Sequence, residues 1–325
     1  MKFRFPALLA ATAVAAALVA FQEPGQSAKP SKAPRTPDGQ PDIQGIWSNA
    51  VLTPMERPAD LKDKAFLTEK EALDYEQRTV AKNNMDNRAG AGTDADLGRA
   101  YNDFWWDRGT KVVGTRRTSL VVDPADGRIP TLTPLAQSRQ QERAQARRLR
   151  PADGPEDRPL GERCILLNSA GPPMSPSAYN NNYQLIQSKD HVVILNEMVH
   201  DARVIPLDGR PHLPGNVRQI MGDSVGHWEG ETLVVDTTNF TDQSAFRGSG
   251  ANLHLTERFT RVDAETLLYE YTVNDPESFV KPWSVALPST RVSGPIFEYA
   301  CNEGNLGMEG LLSAARAEEK KLNAK

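Results

Sequence analysis

The second half of the chain repeats one pattern, in which short runs rich in Val, Ile, Leu, Thr and Tyr are separated by three polar residues. The runs YQLIQ and HVVILNEMVHDARVI flank SKD, GHW and TLVVDTTNF flank EGE, and LTERFTRV and TLLYEYTV flank DAE. Short polar turns between such runs are typical of β-hairpins. About eight consecutive strands of this kind predict a mainly β fold, an antiparallel meander that closes into a barrel or a two-sheet sandwich.

The N-terminus predicts export. Lys2 and Arg4 precede an apolar run of small residues from Ala7 to Ala20, which is the pattern of a secretory signal peptide and is too short for a spanning helix. We therefore interpret 1–21 as a signal peptide, with an uncleaved anchor as the alternative. Residues 22–41 are rich in Pro, Gly, Ser and Lys, a composition that predicts a disordered linker. We expect a periplasmic or secreted protein with no membrane span after cleavage.

Residues 42–325 are predicted to form a single β-rich domain. Its first part, 42–163, is expected to be an N-terminal wrap, and 164–303 the β-meander core. A few peripheral helices complete this architecture.

Two helices are predicted in the wrap, near 69–83 and 134–148. Thr68 and Glu71 have the spacing of a capping box, which places the start of the first helix. The second helix has a mostly polar surface and should lie outside the core.

The chain contains two cysteines, Cys164 and Cys301. Disulfides persist in exported proteins, so we predict a bridge between them. By chain entropy, so long a loop contributes about 4–5 kcal/mol to stability. The alternative is two unrelated buried thiols.

Charge and motif content exclude several classes of function. The chain has 42 acidic and 38 basic residues, a formal net charge of −4, and no Lys/Arg-rich face, so we expect no nucleic-acid partner. Its five histidines are scattered, without HExxH or HxH, so we expect no metal site. Walker, dinucleotide and G-x-S-x-G patterns are also absent from the sequence, and no cofactor is expected.

The segment 191–205 is predicted to be one strand covered on both faces. Because side chains alternate along a strand, Asp201 and Arg203 share a face with Glu197, whereas His200 points the other way. We interpret Asp201 and Arg203 as an ion pair that sets the register, with a ligand or catalytic role as the alternative. His200 lies among apolar residues and is a candidate proton shuttle.

The hairpin 255–273, with the preceding His254, brings together a candidate site. A tight turn at Ala264–Glu265 would place Arg258 opposite Tyr271. One face would then carry His254, Thr256, Arg258, Tyr269 and Tyr271, and the other Glu257, Phe259, Arg261, Leu268 and Glu270. The first face has the composition of a small-molecule pocket, with simple packing as the alternative. The second would be a salt-bridged outer surface.

A second hairpin supplies candidate carboxylates. A turn at Glu229–Gly230 would set His227 opposite Thr232 and Asp223 near Asp236. Two facing carboxylates can share a proton and act as acid and base. The alternative is an exposed Asp223 beside a hydrogen-bonded Asp236.

The motif series resembles an uncharacterised family of exported bacterial proteins. The matching stretches are PDIQGIW, VILNEMVHDARVIPLDGRPH, MGDSVGHWEGETLVVDTTNF, HLTERFTRVD, NDPESFVKPW and EYACNEGN. They cover most of the mature chain and are densest from 180 to 303. The resemblance implies export and a shared fold, and it leaves the activity open. Its signature positions would be Arg203, Asp208, Gly209, Arg210, His212, Gly226, Trp228, Glu229, Gly230, Asp236, Glu257, Arg258, Asp275, Pro276 and Trp283.

Two functional hypotheses follow. The first is a cofactor-free lyase, hydratase or isomerase that acts on a small, partly apolar molecule in a β-barrel pocket. The second is a small-molecule-binding or cell-envelope protein with the same pocket and no turnover. The candidate catalytic residues are His200, His227, Asp236, His254 and Arg258. The candidate substrate contacts are Arg203, Tyr269, Tyr271 and Trp228. The oligomeric state stays open.

Overall fold

The computed structural model describes residues 33–87, 90, 92–97, 102–167, 169–243 and 246–323. The predicted signal peptide and the first part of the predicted linker lie outside these residues. Among the described helices, none is long and apolar enough to cross a membrane.

The described part is built mainly from β-strands. The strands are β1 Gly45–Ser48, β2 Val121–Asp123, β3 Asn182–Gln187, β4 His191–Asn196, β5 Ala202–Pro206, β6 Asp223–Glu229, β7 Thr232–Thr238, β8 His254–Arg261, β9 Thr266–Asn274 and β10 Trp283–Val292. The α-helices are α1 Glu69–Asn83, α2 Asp94–Leu97, α3 Pro134–Leu149 and α4 Leu306–Asn323. Short 3-10 helices span Ala59–Leu61, Asp103–Trp105, Pro155–Asp157 and Phe246–Gly248.

The strands form one antiparallel sheet in the order β5-β4-β3-β1-β10-β9-β8-β7-β6, with β2 also paired to β10. Cα atoms of the two edge strands, β5 and β6, come within 8 Å of each other, although no ladder joins them in the described part of the chain. The sheet therefore curls until its edges meet without closing through hydrogen bonds. The predicted mainly β, antiparallel fold is confirmed.

Gly226 makes the close approach of β5 and β6 possible. A Cβ atom added there would lie 2.8 Å from Leu207 Cδ2 and 2.9 Å from Ile205 Cγ2, closer than real side chains pack. A glycine inside a strand often marks such a contact. The two edges of the sheet are therefore in direct contact at this position.

Both predicted helices are confirmed. At the start of α1, the Glu71 backbone N–H donates to Thr68 Oγ1 at 3.3 Å, and the Thr68 N–H donates to Glu71 Oε2 at 2.8 Å, which is the expected capping box. Thr133 caps α3, and Pro134 occupies its first turn. Most of α3 is exposed, as its polar surface predicted.

Aromatic side chains fill the interior of the curled sheet. The fully buried rings are Trp47, Tyr183, Phe240, Phe259, Tyr269, Tyr271, Phe279 and Trp283. They belong to one buried cluster, in which Phe259 and Tyr269 stack with their centroids 4.8 Å apart. Aromatic burial of this kind dominates core energetics, so the interior is a packed core.

The predicted disulfide is confirmed. Cys164 and Cys301 are bonded, with Cα atoms 5.6 Å apart, a normal disulfide separation. The bond joins the segment before β3 to the segment that follows β10.

The predicted single strand over 191–205 is wrong, because the chain turns in its middle. β4 ends at Asn196, β5 begins at Ala202, and the two pair as a hairpin. Val199 and His200 have φ angles of 66° and 57°, a left-handed conformation that β-branched residues rarely adopt. The turn contains neither Gly nor Pro, so the sequence does not predict it. Its residues are Glu197, Met198, Val199 and His200.

The turn changes the surroundings of the polar residues in this segment. Glu197 is buried and His200 is exposed, so the structure places His200 on the surface rather than among apolar side chains. The Asp201 carboxylate accepts a hydrogen bond from the Ala202 N–H. Arg203 pairs with Glu257 instead, and the predicted Asp201–Arg203 ion pair is wrong.

Candidate functional site

The register of the β8–β9 hairpin decides which residues share a face. The structure pairs Arg261 with Leu267 and Arg258 with Glu270, one residue out of step with the predicted register. The N–H groups of Val262 and Asp263 both point to the Thr266 carbonyl, at 3.0 and 3.5 Å. The turn thus contains one residue more than predicted, and a slip of one residue moves every side chain of a strand to the opposite face.

The predicted grouping of His254 and Arg258 with Tyr269 and Tyr271 is therefore wrong. Both tyrosines are buried in the interior, whereas His254 and Arg258 alternate with buried residues and face outward. We call the outward-facing side of strands β6 to β9 the outer face. Its members are Asp223, Val225, His227, Glu229, Thr232, Val234, Asp236, Thr238, His254, Thr256, Arg258, Thr260, Thr266, Leu268, Glu270, Thr272 and Asn274.

At one end of the outer face, four side chains form a continuous hydrogen-bonded series that we call the His–Asp chain. His212 Nδ1 lies 2.9 Å from Asp223 Oδ2, and His212 Nε2 lies 2.8 Å from Asp236 Oδ1. The second oxygen of Asp236 lies 2.5 Å from His254 Nε2. Asp236 is thus shared by two imidazole rings, one on each carboxylate oxygen.

Three strands and one loop position the His–Asp chain. β6, β7 and β8 supply Asp223, Asp236 and His254. Gly222 precedes β6 with φ of 69°, and a Cβ there would lie 2.6 Å from the Thr238 carbonyl oxygen, so only glycine fits this turn. That turn starts β6 with Asp223 on the outer face.

His212 comes from the loop 207–222, which crosses outside the sheet. The Leu213 N–H donates to Asp223 Oδ2 at 2.8 Å, and the Asn239 amide donates to the Leu213 carbonyl at 2.9 Å. Arg218 Nη1 donates to the carbonyls of Phe240 and Ala251. These contacts on both sides of the ring hold His212 against the strands.

The two carboxylates determine the protonation of His212. A neutral imidazole has one N–H and can donate to only one acceptor, whereas an imidazolium donates from both nitrogens. Burial lowers the pKa of His212, but the hydrogen bonds with Asp223 and Asp236 outweigh it, so the pKa is raised above its ordinary value. His212 therefore serves as a cationic bridge between two strands.

His254 is the reactive end of the His–Asp chain. Its side chain is 45% exposed, and within the described part of the chain only its Nε2 has a hydrogen-bond partner. Nδ1 is therefore left for a ligand. A carboxylate that holds one ring nitrogen while the other faces a substrate is the usual arrangement of a histidine base.

A second charged group occupies the neighbouring part of the outer face. Arg258 Nη1 lies 3.0 Å from Glu229 Oε2, and His227 Nε2 lies 3.2 Å from Glu229 Oε1. Burial raises the pKa of Glu270, and the charges of Arg258 and Arg117 partly oppose the shift. Arg258 lies between the acidic side chains of Glu229 and Glu270, so the protein itself balances the positive charge of its guanidinium.

The interior holds a different polar network. Arg203 donates to both oxygens of Glu257, at 2.6 and 3.0 Å. The Tyr269 hydroxyl donates to Glu257 Oε1 at 2.7 Å and accepts from the Met174 N–H at 3.0 Å. Burial raises the pKa of Tyr269 well above its ordinary value, which keeps the hydroxyl protonated. Every charged group here has a protein partner.

The structure thus separates the residues that the sequence nominated. His227, Asp236, His254 and Arg258 share the outer face, and His200 lies in the β4–β5 turn. Arg203, Tyr269 and Tyr271 are buried in the interior, and Trp228 is partly buried against the core.

Sequence reasoning did not include His212 among the site residues, although the resemblance made it a signature position. Asp223 was considered beside Asp236, and the structure puts His212 between them. Glu229 and Glu270 were not expected to face Arg258. Alternation along single strands carries no information about a loop that returns across the sheet.

Two surface cavities lie away from the outer face. One, of about 420 Å³, is lined by the disulfide and Tyr299, and another, of about 410 Å³, runs along α1 beside Leu73 and Val80. Among the described residues, no group of three or more His, Cys, Asp and Glu side chains is arranged to hold a metal ion.

Comparison with known proteins leaves the site to be interpreted from its geometry. No family model matches the chain, and no curated protein matches it either.

Proposed function

We propose that the protein is an exported, cofactor-free enzyme that transfers a proton to and from a small molecule bound at the outer face. The single observation that carries this proposal is the His–Asp chain, in which Asp236 bonds one nitrogen of His254 and leaves the other open. The reaction class is that of a lyase, hydratase or isomerase. The sequence placed this chemistry in the interior, and the positions of His254 and Arg258 move it to the outer face.

In this mechanism His254 is the general base. Its Nε2–H donates to Asp236, which selects the tautomer with a lone pair on Nδ1, and this lone pair accepts the substrate proton. The carboxylate then stabilises the imidazolium that forms. Proton transfer by a positioned side chain contributes about 10²- to 10⁴-fold to rate.

His212 and Asp223 have a positioning role. The Asp236 side chain is 30% exposed, so packing alone does not fix its orientation. The bond from His212 to its Oδ1 holds the other oxygen toward His254. The Asp223 carboxylate in turn holds His212.

The second candidate is a binding or cell-envelope protein that uses the same surface without turnover. The openness of the outer face favours it, because enzyme sites are usually concave and the His254 side chain is 45% exposed. This candidate predicts ligand binding that survives the loss of the base.

The test measures proton exchange directly. The protein is incubated in D₂O with a panel of 2-oxo acids, 3-hydroxy acids and uronic acids, and deuterium uptake and product formation are followed by NMR. We expect exchange with one of these classes, and a loss of about 10²-fold or more in His254→Gln.

His200→Gln is the matched control, because His200 is exposed in the β4–β5 turn and is not a member of the His–Asp chain. It should exchange at the wild-type rate. Equal rates in wild type and His254→Gln, or no exchange by the wild type, would overturn the enzyme proposal. Binding without exchange in both proteins would support the second candidate.

A further inference from the structure

Asn274 is the cross-strand neighbour of His254. The two residues are direct partners in the β8–β9 ladder, so their Cβ atoms lie about 4.5–5.5 Å apart on the same face. Asn274 is the last residue of β9 and is exposed. Its amide therefore stands beside the ring that has the open nitrogen.

The amide of Asn274 is available for a ligand. Within the described part of the chain, its side chain makes no hydrogen bond, although an amide offers two donors and one acceptor. Other asparagines are used by the fold: the Asn196 amide donates to the Ala170 carbonyl and the Asn239 amide to the Leu213 carbonyl. Other exposed asparagines, such as Asn252, also make no side-chain hydrogen bond within the described residues, and Asn274 differs from them in its pairing with His254.

The backbone at Asn274 is firmly held. The next residue, Asp275, is buried, and its carboxylate accepts hydrogen bonds from the Gly250 N–H at 2.8 Å and from the Ser278 hydroxyl at 2.6 Å. On the N-terminal side of Asn274, strand β9 is held by its pairing with β8 and β10. A polar group on a rigid strand end is suited to catalysis, which requires positioned donors.

We propose that Asn274 is a catalytic residue that donates a hydrogen bond to a carbonyl oxygen of the substrate while His254 removes the proton from the adjacent carbon. The site then takes enolisable carbonyl compounds. This inference rests on the proposed function and names its substrate class.

The proposed step balances. The C–H bond breaks, its proton goes to His254 Nδ1, and its electron pair forms a carbon–carbon double bond as the carbonyl electrons move to oxygen. The resulting enolate oxygen is stabilised by the Asn274 amide. Return of the proton, or of a deuteron from D₂O, regenerates the carbonyl compound.

A donor is needed at this position because the nearby charge is negative. Asp223 and Asp236 share a single cation, His212, which leaves a net negative charge. Arg258 is four residues from His254 along β8, about 13 Å at the strand rise. Its guanidinium is also held by Glu229 at 3.0 Å. Asn274 is therefore an amide donor that the register brings beside His254.

Two substitutions test the donor. Asn274→Leu removes the amide at similar volume, and Asn274→Asp keeps an acceptor but loses the donor. With pyruvate and 2-oxobutyrate as probes in D₂O, we expect the exchange rate at C3 to fall about 10²- to 10³-fold in both variants. The KM should change by less than about threefold, and Asn274→Gln should recover part of the rate.

The outcomes separate this inference from the proposed function. Exchange that is lost in His254→Gln but stays within threefold of wild type in Asn274→Leu and Asn274→Asp overturns the role of Asn274 and leaves the base in place. No exchange of pyruvate and 2-oxobutyrate by the wild type overturns this inference, whereas the proposed function is overturned only if the wild type exchanges none of the acids in the wider panel. Asn274 is exposed, so both variants should fold, and circular dichroism checks this. A loss of exchange in an unfolded variant does not count as support. If Asn274→Leu is unfolded, the exchange rate of Asn274→Asp decides the outcome.

Discussion

Strand β8 contributes to two charged networks, one buried in the interior and one on the outer face, because adjacent residues of a strand point to opposite faces. Glu257 points into the interior, where it is fully buried and accepts hydrogen bonds from Arg203 and Tyr269. Its neighbours on the strand, Arg258 and Thr256, point outward, and His254 joins the His–Asp chain there. Both networks pair carboxylates with cations, but only the outer one is reached by solvent.

The difference separates a stabilising network from a reactive one. In the interior, an unpaired charge would be costly, so both Glu257 oxygens are occupied by protein donors. On the outer face water screens the charges, and such pairs contribute little to stability. His254 can therefore keep an open nitrogen at low cost, which a buried histidine could not.

The largest expected effect is on the interior network. Replacing Glu257 with Ala leaves the Arg203 guanidinium buried without a partner, and we expect the free energy of unfolding to fall by about 3–5 kcal/mol. Urea unfolding monitored by circular dichroism measures the change. A loss under 1 kcal/mol would mean that the interior pair contributes as little to stability as the outer pairs do. The distinction between the two networks would then be wrong.

The double variant Arg203→Met with Glu257→Leu is the control for this experiment. Replacement of a buried ion pair by apolar residues of similar volume is often close to neutral. The double variant should therefore be more stable than Glu257→Ala alone.

A second variant tests the contact that closes the interior. Gly226→Ala forces a methyl group against Leu207 and Ile205, and we expect a loss of about 1–3 kcal/mol from overpacking. Gly114→Ala is the matched control, because nothing lies within 4 Å of its added Cβ. Equal stability of the two variants would mean that β5 and β6 are not in tight contact.

Asp236→Asn tests the outer network. We expect a change in unfolding free energy of about 1 kcal/mol or less, because these pairs are partly exposed and screened by water, together with at least about 10²-fold slower proton exchange. Asp201→Asn, in the exposed β4–β5 connection, should change neither quantity. A stability loss as large as that of Glu257→Ala would make the His–Asp chain a structural network.

The smallest expected effect is a pH dependence that arises from His212. Its folded-state pKa is raised, so its contribution to stability is complete below its ordinary pKa, about 6.5, and is lost as the pH rises through the folded value. We expect the stability difference between wild type and His212→Gln to shrink as the pH rises above about 6.5. A difference that grows with pH would show that the ring is bound as the neutral form.

The two hairpins show why the sequence predicted the fold better than the site. In β6–β7 the predicted register was wrong by two residues, since the turn is Gly230–Glu231 and Glu229 pairs with Thr232. A shift of two residues preserves the faces, so Asp223 and Asp236 still share the outer face. In β8–β9 a slip of one residue exchanged the faces, and His254 was grouped with the wrong tyrosines.

The amino-acid sequence by itself determined the strand-rich composition of the second half, the capping of α1, the position and polar surface of α3, and the pairing of Cys164 with Cys301. These features depend on local propensity, on residue spacing and on the presence of only two cysteines. Only the tertiary structure decided that Glu257 meets Arg203 across the interior and that His212 lies between Asp223 and Asp236. Those contacts depend on one extra residue in a turn and on a loop that returns over the sheet, and neither changes the periodicity of the strands.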